Sequence, residues 1–198
     1  MAKLREVVTS LGHTDVMTYI QSGNVLFTPR LTGGSRSGGA DPHAAVPEAA
    51  VPDAAERDAA KPDAAVLAAE LERAIAGCIG VRARAVVLSR AELARCMRDN
   101  PYPGETNPKL LHAVFLPEVP GPGMALWVAE AERQVRAKGS RDGAQVLGRT
   151  VYLHTPDGYP SSELRRVLAR VGGPTSAGVG GTARNWATVS RLLELCGP

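Results

Sequence analysis

Residues 110–116 read Leu-Leu-His-Ala-Val-Phe-Leu, apolar at six of seven positions. A strand with one face in water alternates polar and apolar side chains. An unbroken run like this one belongs to a strand covered on both faces. The rest of the chain has to be arranged around it, and 198 residues are enough for one large domain or two small ones with real cores.

Before this strand the pattern predicts a helix over Ala2 to Leu11, with Leu4, Val7, Val8 and Leu11 on one face and Gly12 as its stop. Two β-prone runs follow in Val-Met-Thr-Tyr-Ile and Val-Leu-Phe-Thr. The turn residues Gln21, Ser22, Gly23 and Asn24 between them predict a hairpin, since Gly and Asn tolerate positive φ. Asp63 suits the N-cap of a helix whose face is Val66, Leu67, Leu71, Ile75, Cys78 and Ile79. Arg82 to Leu88 reads as a strand, and Ser89 caps a short helix carrying Leu93, Ala94 and Met97.

After it come a helix face of Met124, Trp127, Val128, Ala131 and Val135, then a hairpin around Gly148 and Arg149. Ser161 is the expected cap of a helix with Leu164, Val167, Leu168 and Val171, stopped by Gly172, Gly173 and Pro174. A glycine-rich connection leads to a last helix showing Trp186, Val189, Leu193 and Cys196. The order is αββαβ, a linking helix, βαββα and a closing helix. This predicts an α+β protein of two ferredoxin-like (split βαβ) repeats, 1–98 and 99–198, with mainly antiparallel sheets and helices on one side. The first repeat lacks its opening strand.

Residues 29–62 differ in kind. They hold no aromatic residue and repeat Ala, Asp, Pro and Gly, so they lack the apolar surface needed to offset the entropy of ordering. They are expected to be a disordered, dispensable insertion.

Three stretches carry a resemblance: Thr18-Tyr19-Ile20-Gln21-Ser22-Gly23-Asn24-Val25; Val151-Tyr152-Leu153-His154 with Pro156-Asp157-Gly158; and Thr182-Ala183-Arg184-Asn185-Trp186 with Thr188-Val189. In this order and spacing they resemble the bacterial domain of unknown function 1697 family (DUF1697), over essentially the whole chain apart from 29–62. The resemblance implies a pair of ferredoxin-like repeats and no established activity. The chain departs from the family pattern at four places. It starts after the usual opening strand, which leads us to expect a natural start upstream of Met1. It carries the insertion. It has Pro160-Ser161-Ser162-Glu163-Leu164 where a basic pair is expected, and it is glycine-rich at 178–181.

A net charge of +3 does not point to nucleic acid by itself. Arg82 and Arg84, and the group Arg165, Arg166 and Arg170, read as solvated faces, because no strand aromatics accompany them to stack bases. Cys78, Cys96 and Cys196 lie far apart. The odd count, together with a start that carries no apolar signal-like run, predicts free thiols and a cytoplasmic location. Cys78 and Cys196 fall on apolar helix faces and are expected to be buried. His13, His43, His112 and His154 show no metal-ligand spacing, so neither a metal nor a cofactor is expected, and no stretch has transmembrane length.

Two places remain as candidate sites. The hairpin tip offers the polar groups of Gln21, Ser22 and Asn24, although turn geometry alone accounts for Gly23 and Asn24. The start of the last helix offers Thr182, Arg184 and Asn185, whose backbone N–H groups and guanidinium suit an anion; capping alone also accounts for Thr and Asn. His154, next to Thr155 and Asp157, is a candidate proton-transfer group. No Ser-His-Asp or Cys-His set can be assembled, so catalytic residues are unassigned. The expected function is a binding module for a small anionic ligand or nucleic acid. The alternatives are an enzyme with a site between the repeats and a protein-interaction domain.

Overall fold

The computed structural model describes residues 1–20, 23–30, 63–169 and 181–197. The expectation for 29–62 therefore lies outside the described residues, except at Pro29 and Arg30.

Strand β3 (Leu111–Phe115) is buried at all five positions. It lies between β5 (Thr150–His154) and β6 (Thr182–Asn185), and β4 (Gly143–Leu147) completes an antiparallel sheet of order β4-β5-β3-β6. With the intervening helices the path from β3 is β-α-β-β-α-β, and this strand order is that of a split βαβ unit. The molecule is α+β. Gly148 and Arg149 join β4 to β5, with Gly148 at φ +58°, the positive φ that a two-residue type II′ turn needs at its first position.

Both faces of this sheet are covered, which corrects the expectation of helices on one side. On one face Ala144 and Leu153 pack against Val128, Ala131 and Val135 of the helix Pro122–Arg136 and against Leu164 and Leu168 of the helix Glu163–Ala169. On the other, Ala113, Phe115 and Tyr152 meet Leu93 and Cys96 of the helix Arg90–Arg98 and Val189 of the helix Trp186–Leu195. In chain order the helices are α1 (Ala2–Ser10), α2 (Ala64–Ile79), α3 (Arg90–Arg98), α4 (Pro122–Arg136), α5 (Glu163–Ala169) and α6 (Trp186–Leu195). By its packing α3 is a layer of the second sheet, although it precedes β3 in the chain. None of the described helices is long and apolar enough to cross a membrane.

In the first half, β1 (Thr14–Tyr19) and β2 (Asn24–Thr28) form an antiparallel hairpin on which α1 packs, and α1 also contacts α2. Val7, Val8, Leu67 and Leu71 are the buried residues of these helices.

Four local expectations are corrected. Residues 82–88 form no strand: the Ala85 N–H donates to Glu72 Oε1 (2.8 Å) and the Val87 carbonyl accepts from Arg149 Nη2 (2.8 Å). Side chains there take bonds that a neighbouring strand would otherwise make. Ser162, not Ser161, caps α5. Its Oγ accepts from the Arg165 N–H and donates to the buried Asp142 carboxylate, which also accepts from the Leu164 N–H. Ser161 instead donates back to Asp157 O and Gly158 O. Cys78 and Cys196 are exposed, whereas Cys96 is buried. The two exposed thiols sit in the last turn of α2 and just past α6, where the apolar periodicity outruns the surface the helix packs on. The expected helix stop at 172–174 lies outside the described residues.

Asp63 caps α2, and Ser89 caps α3 in a full capping box with Glu92, as their positions predict.

Candidate functional site

Strand β6 is short and lies at the edge of the sheet, paired to β3 with His112 opposite Asn185, Ala113 opposite Arg184 and Val114 opposite Ala183. Thr182, Ala183 and Arg184 thus belong to a strand and not to the start of a helix, a correction with a plain cause: β3 offers a free edge for them. Asn185 ends the strand and caps α6, its Oδ1 accepting from the Thr188 N–H (2.9 Å).

Arg184 is drawn inward. Its Nη1 donates to Thr182 Oγ1 (2.7 Å) and to the Ala183 carbonyl (2.8 Å), and its Nε donates to Asn24 Oδ1 (2.5 Å) on the hairpin. Burial lowers its pKa from the ordinary guanidinium value. Asn24 does more than make a turn. It is the buried first residue of β2, and its Nδ2 also donates to the Tyr19 carbonyl (3.3 Å). The two candidate places in the sequence, 160 residues apart, therefore meet through one hydrogen bond.

Beside this contact lies a cavity of about 240 Å³ lined by Ile20, His112, Tyr159, Ala183, Arg184, Asn185 and Thr188. Ile20 has φ +51°, a conformation that costs a β-branched residue strain and that tends to mark functional positions. His112 is 8% exposed and its ring stacks on Tyr159, centroids 3.9 Å apart. The Arg165 guanidinium lies over the Tyr159 ring, 5.1 Å from its centroid. Burial pushes the His112 pKa down to about 4, so the imidazole is neutral at physiological pH, and its buried Nδ1 has no partner among the described residues.

Of the six candidate residues, Asn24, Thr182, Arg184 and Asn185 are brought together here, and Gln21 and Ser22 lie outside the described residues. Sequence reasoning did not name Ile20, Tyr159 or Thr188 as site residues, although Ile20 and Thr188 lie in the stretches that carry the resemblance. It weighed His112 only with His154, and the sole available signal was a histidine interrupting an otherwise apolar strand. Those two histidines are on neighbouring strands but oppose Leu153 and Leu111 respectively, so they point to opposite faces. His154 pairs neither with Asp157, which binds Arg141, nor with Thr155, which donates to the Leu110 carbonyl. It meets Glu105 (Nε2 to Oε2 2.8 Å) and stacks on Tyr102, and the hydrogen bond with His154 lowers the Glu105 pKa. Among the described residues no group of three His, Cys, Asp or Glu side chains could hold a metal ion.

A family model described as a protein of unknown function (DUF1697) matches residues 1–37 and 56–152. The first resembling stretch falls within the match, only the start of the second does, and Thr182 to Val189 falls beyond it. No curated protein and no solved structure matches the chain.

Proposed function

We propose that this chain, which belongs to the DUF1697 family of proteins of unknown function, binds a small anionic ligand in the cavity between the β1–β2 hairpin and the β6–α6 junction. The observation that carries this reading is the placement of Arg184. A partly buried cation, hydrogen-bonded to the hairpin and to its own strand, belongs to a residue that lines a cavity at the N-terminus of a ten-residue helix. The guanidinium and the helix dipole both favour negative charge there. A cavity of about 240 Å³ is below the roughly 300–1,000 Å³ of drug-sized pockets, which favours a small metabolite over a nucleic acid strand.

The test is a thermal-shift screen of the native protein against small carboxylates, phosphorylated metabolites and short RNA, repeated with Arg184→Met. Ligand at about 100 times its Kd stabilises by about 2.7 kcal/mol, several degrees in a chain of this size. A hit whose shift disappears in Arg184→Met supports the reading. Equal shifts in both proteins sink it, and a shift with RNA alone transfers the proposal to nucleic acid. Turnover of a hit would make the same cavity, which lies between the two halves, the site of an enzyme.

A further inference from the structure

We infer that Ile20 selects the ligand of this cavity by its aliphatic part: the side chain closes on a short hydrocarbon tail, so the ligand class is a small oxyanion that carries one. The inference rests on the reading of the cavity as a ligand site and adds which ligands fit it.

Ile20 stands at φ +51°. In that left-handed region a β-branched side chain crowds the backbone, whereas Gly and Asn take it at little cost. Such a conformation persists only where the surroundings hold it. Asn24 ties this turn down. Its Nδ2 donates to the Tyr19 carbonyl, in the peptide group that leads into Ile20, and its Oδ1 accepts from Arg184 Nε on β6. These bonds set where the residue lies, but they do not require its side chain to be isoleucine. That side chain is 48% exposed, so packing within the protein offsets only part of the strain.

The exposed part has a destination. Ile20 lines the cavity together with Tyr159 and Ala183, the other apolar members of its wall. Ala183 lies opposite Val114 and Asn185 opposite His112, so Ala183, Asn185 and His112 share one face of the sheet, and the Tyr159 ring stacks on His112 there. Hairpin and sheet thus supply apolar surface to the same space. A hydrocarbon tail in that space covers the part of Ile20 that water otherwise covers, and the gain grows with each methylene. A bare inorganic anion leaves the same surface wet.

Acetate, propionate, butyrate and butyramide, the last uncharged, would be titrated at constant ionic strength, following the amide chemical shifts of Ala183 and Asn185. The proteins are wild type, Ile20→Asn and Ile20→Val, each with its thermal melt. In wild type each added methylene should tighten binding about fourfold, the factor for burying one CH₂. Ile20→Asn should bind acetate within about twofold of wild type, show a nearly flat series and melt no lower, because relief of strain offsets the lost contacts. Ile20→Val keeps the branching and most of the apolar surface, and should keep the series. A flat series in wild type, or an undiminished gain per methylene in Ile20→Asn, overturns the inference. A clear fall in the melting temperature of Ile20→Asn also overturns it, since the side chain would then be held for packing. Butyramide binding as tightly as butyrate, and lost in Ile20→Asn, would uphold the role of Ile20 and remove the anion reading. No binding of any of the four to wild type would remove both.

Discussion

The two halves of the molecule begin from the same succession of elements and end differently. From β3 onward the chain runs strand, helix, strand, strand, helix, strand, and β3 lies in the middle with β5 on one side and β6 on the other. From Ala2 it runs helix, strand, strand, helix and the stretch 82–88, which forms no strand. The match is element for element, except that among the described residues the first half has no counterpart of β3. Among the described residues β2 and 82–88 share no ladder, and β1–β2 is a two-stranded hairpin. A hairpin alone is marginal in water, whereas a four-stranded sheet with helices on both faces is not. Val114, Val151 and Leu153 are fully buried; Val25, Leu26 and Phe27 are only half-buried. The half with a central strand buries these side chains fully, and the half in which none is described leaves its strand side chains half-buried.

The comparison breaks if like substitutions in the two halves cost the same. Leu153→Ala, in the middle of the larger core, should lose about 3 kcal/mol in urea unfolding. Leu26→Ala on the hairpin should lose about 1 kcal/mol, because that side chain is only partly removed from water. Equal losses would show that the hairpin is packed as tightly as the sheet.

A smaller effect sharpens the comparison at the seam between the halves. Glu92 closes the α3 capping box and pairs with Arg149 (2.7 Å), which also holds the Val87 carbonyl. Burial opposes the charged form of Glu92, yet the bonds from Ser89 and Arg149 outweigh it and hold its pKa below the ordinary 4.5. A lowered folded pKa contributes stability that is present above the unfolded value and fades as the pH falls through the folded one. Glu92→Gln should therefore cost about 0.5–1 kcal/mol at pH 7, discounted for the partial exposure of the pair, and progressively less as the pH drops below 4.5. A cost independent of pH would show that the carboxylate's charge plays no part at this seam.

The smallest effect concerns the part of the first half that the family match omits, residues 38–55. Deleting them should move the melting temperature by no more than about 2 °C, since loop-closure entropy changes slowly with length. A larger loss would mean that these residues pack, and the first half would have to be redrawn.

The sequence by itself determined most of the helices, both hairpins, the caps at Asp63 and Ser89, and the doubly covered strand at 111–115. These follow from period, capping and turn chemistry, which act over a few residues. It also carried the family, through the Thr18 to Val25 stretch. Only the tertiary structure decided the state of 82–88, because a β-prone run becomes a strand only when a neighbour supplies its ladder. It alone turned Thr182–Asn185 from a helix start into an edge strand, by offering the free side of β3. The candidate site divides the same way. Asn24, Thr182, Arg184 and Asn185 stood out singly as polar residues at a turn and an anion-suited segment. Their meeting, and the addition of His112 and Tyr159, depended on strand register and on contacts between residues up to 160 positions apart, which no local pattern encodes.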